Sequence, residues 1–370
     1  MRINIGRNLQ RRFRRLVAIG SDLFLLGRSQ SRMALFSVLT WLIVISSIAQ
    51  AATSAIDLKE AVDEFVRSIP GSKQGGYKEP DKDPIARTRL VEGFKKARDG
   101  DLPAATEQLA LVDYKATLYV DSGTGREVVI LQEQKDKGVY PRAWGLYVIA
   151  WPPKQNSSNL VVEVPHACPP NMPNKPKVCD GGDTDSHLVG VEAFRSANAR
   201  YLFINGAQRN ATSSSDVTHQ RDSPFEGIHE AALDPTQKGL GAKAKVYQAH
   251  RFFTENHDGK NRDPCPPIDN VKPGTVTVAN VVVSNGTNTP AGTLAEKVAV
   301  AVEAKDSPFF FVCLATGAGT CSDLAATKNV QKDHMFGGSF VHVEANESVY
   351  ACGSPCKRDQ LAQAVAGAMK

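Results

Sequence analysis

The sequence predicts an α/β protein, a mixed and largely parallel sheet flanked by helices behind a short N-terminal helical segment. Three observations predict it. From about Tyr114 onward, short apolar runs rich in Val, Ile, Tyr and Phe alternate with stretches of helical spacing. Between residues 52 and 112 the apolar spacing is helical. The first 51 residues have the make-up of an export leader and not of a packed core.

The leader is read first. Residues 34–48, ALFSVLTWLIVISSI, carry no charge. Arg28 and Arg32 precede them, and Ala49-Gln50-Ala51 follows as a small-x-small cleavage pattern. The run is shorter than the roughly 20 residues that span a bilayer. Left uncleaved it would act as an N-terminal anchor, and once it is cleaved no membrane span remains. The mature chain is expected to begin near Ala52 and to work in an extracytoplasmic setting, secreted or periplasmic. Residues 1–51 contain eight arginines and one acid, Asp22, so their removal turns 44 basic against 39 acidic residues into 36 against 38. A formal charge of +5 becomes −2, and the electrostatic case for nucleic acid or anionic lipid disappears. No basic stripe interleaved with aromatics replaces it.

Seven cysteines, at 168, 179, 265, 313, 321, 352 and 356, suit an oxidising compartment. By proximity, Cys168 with Cys179, Cys313 with Cys321, and Cys352 with Cys356 read as local disulfides, leaving Cys265 over. No CxxC pair is present, which argues against a structural zinc cluster.

Residues 55–68 predict a helix with Asp57 as its cap. Residues 70–84 are rich in Gly, Lys and Pro and read as a loop. Residues 85–111 predict two short helices broken at 100–103. These segments hold no catalytic constellation and read as a packing layer. Strands follow at 116–121, 127–131, 144–151, 160–165, 201–205, 245–249, 275–283, 309–315 and 340–344. Helices are expected at 184–197, 224–233, 294–303 and 358–369. The domain expectation is 1–51 leader, 52–112 helical segment and 113–370 α/β domain.

Ligand sites in open α/β sheets form beyond the carboxyl ends of strands. His166 follows LVVEV, Arg209 follows YLFIN, His250 follows KVYQA, and Glu344 ends SFVHVE. Any one of these alone is ordinarily a loop hydrogen-bonder, and it is their joint occurrence that points to a site. His187, His219, His229, His257 and His334 lie in polar or helical contexts where solvated or capping roles are usual. His342 shares a strand face with Glu344. Asp222 and Ser223 compete to cap the helix that starts at Pro224. There is no GxSxG nucleophile elbow, no HExxH and no P-loop ending.

Six stretches occur in an order that resembles a known family: VVEVPHACPPN, DTDSHLVGVEAF, NGAQRN, DVTHQRDSPFEGIHEAAL, VYQAHRF and LAATKNVQKDHMFGGSFVHVEAN. The chain from about Trp144 to Asn346 is similar to the N-formylglutamate amidohydrolases, relatives of the zinc carboxypeptidases with a phosphorylase/hydrolase-like fold. The resemblance implies one Zn²⁺ held by two histidines and a carboxylate. His166 and His250 match the two histidines. The carboxylate should follow His166 closely, but the insert ACPPNMPNKPKVC intervenes before Asp180, Asp183 and Asp185. A Cys168–Cys179 disulfide would pinch that insert shut and leave Asp183 as the expected ligand, with Asp185 next and Glu163 a weaker choice. His219 and Asp222 lie in a stretch shared with the family and are candidates to line the site. Glu344 is the expected general base, and Arg209 the expected binder of a substrate carboxylate or an oxyanion. The function implied is zinc-dependent hydrolysis of an amide bond in an N-acyl amino acid or peptide. A binding protein that keeps the fold without catalysis, and a purely structural envelope protein, are the alternatives.

Overall fold

The computed structural model describes residues 54–153, 157–169, 179, 183–253, 279–306, 309–316, 321 and 324–370. The leader, Asp180, His257, Cys265 and the start of the strand expected at 275–283 lie outside the described residues.

The chain begins with β1 (Ser54–Ile56), α1 (Leu58–Arg67), α2 (Pro84–Arg98) and α3 (Leu102–Ala110). Strands β2 (Tyr114–Asp121), β3 (Arg126–Glu133), β4 (Leu146–Trp151), β5 (Leu160–Val164), β6 (Ala167–Cys168) and β7 (Asp183–Thr184) come next. Then follow α4 (Ser186–Ser196), β8 (Tyr201–Ile204), α5 (Pro224–Leu233), β9 (Lys245–Arg251) and β10 (Val281–Ser284). The remainder is α6 (Leu294–Lys305), β11 (Val312–Leu314), α7 (Val330–Asp333), β12 (Ser339–Ala345), α8 (Glu347–Tyr350) and α9 (Lys357–Met369).

Helix starts follow local chemistry. The side chains of Asp57, Asp83, Asp101, Ser223 and Thr293 accept backbone N–H groups of α1, α2, α3, α5 and α6. Each satisfies a donor that has no partner within its helix. Ser223, not Asp222, caps α5, and Asp222 is exposed. Residues 54–56 are not the first turn of α1. They pair in parallel with β2, Ser54 opposite Tyr119, and the helix begins only after its Asp57 cap.

Ten described strands form one sheet in the order β1-β2-β3-β4-β8-β5-β9-β12-β10-β11. The central strands β8, β5, β9 and β12 run parallel, while β2, β3 and β4 make an antiparallel meander on one flank. All five residues of β5, LVVEV, are buried, as expected of a parallel strand covered on both faces. Helix α4 lies against β5 so closely that a Cβ on Gly190 would sit 2.6 Å from Val164 Cγ2. On the opposite face, Phe203 of β8 meets Phe94 of α2 and Phe225 of α5 edge-on, at 5.6 and 6.3 Å between ring centres. No helix among the described residues is long and apolar enough to cross a membrane.

Cysteine pairing differs in part from expectation. Cys168–Cys179 and Cys352–Cys356 are disulfides. Cys313 is instead a free, buried thiol, although its Sγ lies 2.8 Å from that of Cys321, which is itself disulfide-bonded. Closeness in sequence brought the two sulfurs together without dictating which bond forms. His187 and His229 are also not solvated. Both are fully buried, His187 Nε2 3.1 Å from Asp63 and His229 Nδ1 2.6 Å from Glu163. Each lies on a helix face turned inward, where an ionisable ring needs a partner.

An ion cluster ties the start of α1 to the end of β2 and to α4. Buried Asp121, at the end of β2, receives Arg195 Nη2 at 2.6 Å and Nε at 3.0 Å, and the Leu58 backbone N–H at 3.3 Å. Arg195 Nη2 also reaches Asp57 at 2.8 Å. Burial pushes the Asp121 carboxyl up, but Arg195, Thr124 and Leu58 outweigh it and leave it below the usual range. Its stabilisation is therefore complete above about pH 4 and fades as the pH falls below that. Asp121→Ala, which removes a buried carboxylate and leaves Arg195 with Asp57 alone, is expected to cost about 2 kcal/mol at pH 7 in denaturant unfolding, and less at pH 3. Equal losses at both pH values would contradict the ionic assignment.

Candidate active site

The parallel strands deliver the site at their carboxyl ends. His166 lies two residues past β5, His250 near the end of β9 and Glu344 near the end of β12. In the sheet register Glu344 is the lateral neighbour of His250, and His342 that of Gln248. The Pro-rich insert after His166 returns the chain through the Cys168–Cys179 disulfide and the parallel β6–β7 ladder, Ala167 opposite Asp183. The Asp183 backbone N–H donates to the His166 carbonyl at 3.2 Å. Asp183 thus sits beside His166 although the two are 17 positions apart in the sequence.

Three buried donors converge. Asp183 Oδ2 lies 2.9 Å from His250 Nδ1 and 3.8 Å from His166 Nδ1, and the two rings are edge-on at 4.8 Å. One ligand atom from each of His166, Asp183 and His250 lies within 4.8 Å of the others, a grouping that could hold a metal ion. His166 Nδ1 and Asp183 Oδ2 have no hydrogen-bond partner in the structure. Leaving buried polar atoms unmet costs about 1–3 kcal/mol each, which a cation between them would remove. Burial, and then the nearby Glu344 carboxyl, raise the Asp183 carboxyl well above its ordinary range. Burial pushes both His166 and His250 down, to the neutral imidazole that binds metals.

The outward nitrogens are held. His166 Nε2 lies 2.9 Å from Asp216 Oδ1 and 3.2 Å from Thr218 Oγ1. Asp216 also takes Arg209 Nη2 at 3.0 Å and His219 Nδ1 at 3.1 Å. Burial opposes its charge, but His166, His219 and Arg209 hold this carboxyl far below the usual range. A carboxylate behind a metal-facing histidine fixes the ring and its tautomer. Asp216 lies in the DVTH stretch, where sequence reasoning picked out His219 and passed over the acid three residues before it.

His342 was seen only as a strand-face neighbour of Glu344. It is buried against His250 with ring centres 4.4 Å apart, its Nε2 is 3.5 Å from Glu344 Oε1, and its Nδ1 is unmet. Burial pushes its ring down to about 3, so it is a neutral hydrogen-bonding group. Burial also pushes the Glu344 carboxyl up, while the Arg209 cation draws it down. His166, Arg209, His250, His342 and Glu344 all line one cavity of about 280 Å³, together with residues 326–329. His219 lines it too.

The remaining candidates fall elsewhere. Asp185 precedes α4 in a left-handed conformation, φ 65°, outside the converging donors. Glu163 points into the core toward His229 and Gln248. A second acid–histidine group, Glu226, Glu230 and His334, lies outside the cavity. There His334 Nδ1 meets both carboxylates and Arg221 faces Nε2, so the group is internally paired.

No protein-family model matches the chain, and no curated protein matches it. Among solved structures it is similar to N-formylglutamate amidohydrolase from Ralstonia eutropha, at 15% identity over 58% of this chain and 94% of that one, with a TM-score of 0.37. It is also similar to a bacteriophage poly-gamma-glutamate hydrolase, at 14% identity over 58% of this chain and 84% of that one, with a TM-score of 0.33. Likeness of this degree carries no weight for the reaction, which has to come from the residues of the site.

Proposed function

We propose that the protein is an exported, zinc-dependent hydrolase of amide bonds, acting on N-acyl amino acids or peptides. The observation that carries this is the convergence of His166 Nδ1, Asp183 Oδ2 and His250 Nδ1 at the strand ends, two of them buried and unpartnered. Two imidazoles and one carboxylate form a donor set suited to catalytic zinc, which keeps a position open. When bound, zinc acidifies a water and polarises a carbonyl oxygen.

The chain's own groups account for the rest. Glu344, beside His250 in the sheet register, is placed to take the proton of the attacking water and to return it to the leaving amine. Burial gives its carboxyl the raised basicity that this exchange needs. Arg209 spends one donor on Asp216 and lines the cavity, where its guanidinium can bind a substrate carboxylate or steady a developing oxyanion. Asp216 ties that cation and the His166 ring into one unit. The cavity, about 280 Å³ and lined mostly by polar groups, suits a small polar substrate or one residue of a peptide.

The test pairs metal content with turnover. Purified wild-type protein is expected to hold one equivalent of zinc and to hydrolyse members of an N-acyl amino acid and peptide panel, with activity lost to a chelator and restored by zinc. Zinc without any turnover would favour a binding protein, and absence of both would overturn the proposal.

A further inference from the structure

Arg209 stands five residues past β8, on a loop outside the regular elements. Its side chain is 34% exposed, and among the described residues its guanidinium has one ion-pair partner, Asp216. A long side chain anchored only at its tip is no better placed than the backbone from which it grows. That backbone is held by the loop between α1 and α2.

Both chain neighbours of Arg209 are bound there. The Gln208 N–H donates to the Pro70 carbonyl at 3.0 Å, and the Lys73 N–H donates to the Asn210 carbonyl at 2.8 Å. One position further on, the Gly75 N–H donates to the Ala211 carbonyl at 3.1 Å. The α1–α2 loop reaches all three because it turns sharply. Gln74 Oε1 accepts the Gly71 N–H at 3.0 Å, and the Gln74 N–H returns to the Gly71 carbonyl at 3.2 Å. Lys73 and Gly75 take left-handed backbone, φ 57° and 68°. Among the described residues the Lys73 side chain is exposed and makes no ion pair, so only its backbone serves. The far end of the loop is fastened too, by the Lys78 N–H on the Arg142 carbonyl at 3.0 Å and by Trp144 Nε1 on the Lys78 carbonyl at 2.7 Å.

We infer that residues 70–75 are a positioning element of the site: through three main-chain hydrogen bonds they hold the loop of Arg209, and with it the direction in which the guanidinium enters the cavity. Asp216 then fixes the tip of the side chain and the α1–α2 loop fixes its root. The loop is thereby more than a packing layer. The effect on turnover rests on the hydrolase reading above, whereas the clamp itself does not.

The experiment uses the full chain and two substitutions at one exposed position. Lys73→Pro removes the N–H and forbids the left-handed backbone. Lys73→Gly keeps the N–H and adopts that backbone without strain. Both remove the ammonium, so its charge cancels from the comparison. Lys73→Pro is expected to speed hydrogen exchange of the Gln208 amide at least about 10-fold. It should lower kcat/KM about 10- to 100-fold on the panel member that wild type hydrolyses best, at unchanged zinc content. Lys73→Gly should match wild type in all three. In an Arg209→Ala background, Lys73→Pro should lower kcat/KM by less than about twofold further, because the group through which it acts is gone. A folded Lys73→Pro with wild-type exchange and turnover, or the same loss with and without Arg209, would overturn the inference. Should Lys73→Pro fail to fold, Gln74→Ala, which opens the turn at an exposed position, replaces it under the same expectations. If wild type hydrolyses nothing, the hydrolase reading fails, and exchange of the Gln208 amide still decides whether residues 70–75 hold the loop.

Discussion

His250→Ala is expected to lose both zinc and hydrolysis. His250 supplies one of three converging donors, and its Nδ1 is the one nearest Asp183 Oδ2, at 2.9 Å. Removing it leaves one imidazole and one carboxylate, too few to hold the ion against solvent. The loss of affinity should exceed the roughly 100-fold seen when only an outer partner of a metal ligand is removed. The variant should still fold, because the ring borders the cavity and the β9 ladder is made by backbone groups. Zinc analysis after dialysis, alongside the melting temperature, separates the outcomes. A folded variant that keeps stoichiometric zinc would remove His250 from the ligand set.

Glu344→Gln should behave differently, keeping zinc and losing turnover. The replacement has the same shape and keeps an oxygen facing His342 Nε2, which lies 3.5 Å from Glu344 Oε1. What it lacks is a site for the proton taken from water. A positioned general base contributes about 10²- to 10⁴-fold, so kcat should fall within that range at unchanged zinc content. Turnover at the wild-type rate would show that Glu344 is not the base. Loss of zinc would show that it serves the metal instead, a role also open to it as a neighbour of His250 and His342. With His250→Ala this separates the group that holds the ion from the group that moves the proton.

Much of the architecture was legible in the sequence. LVVEV and YLFIN are apolar runs too short for helices, and they became buried central strands. Asp57 and Ser223 stand directly before helical spacing, and both cap. Where the reading failed, a partner distant in sequence decided. Residues 54–56 became a strand because β2 offers them an edge. His187 and His229 went into the core because Asp63 and Glu163 meet them there.

The site divides along the same line. By itself the sequence determined that polar, chemically capable residues stand at the ends of apolar strands: His166, Arg209, His250 and Glu344. That follows from local order, since the chain states where a strand stops and what comes next. Only the tertiary structure decided which of them share a cavity, and that Asp183 joins His166 across the disulfide-closed insert. It also decided that Asp216 stands behind His166, that residues 70–75 meet the loop of Arg209, and that Cys313 keeps its thiol. These depend on distances between atoms far apart in the chain and on burial that leaves a polar atom unmet. One-dimensional spacing records none of them, because each is set when several elements pack together.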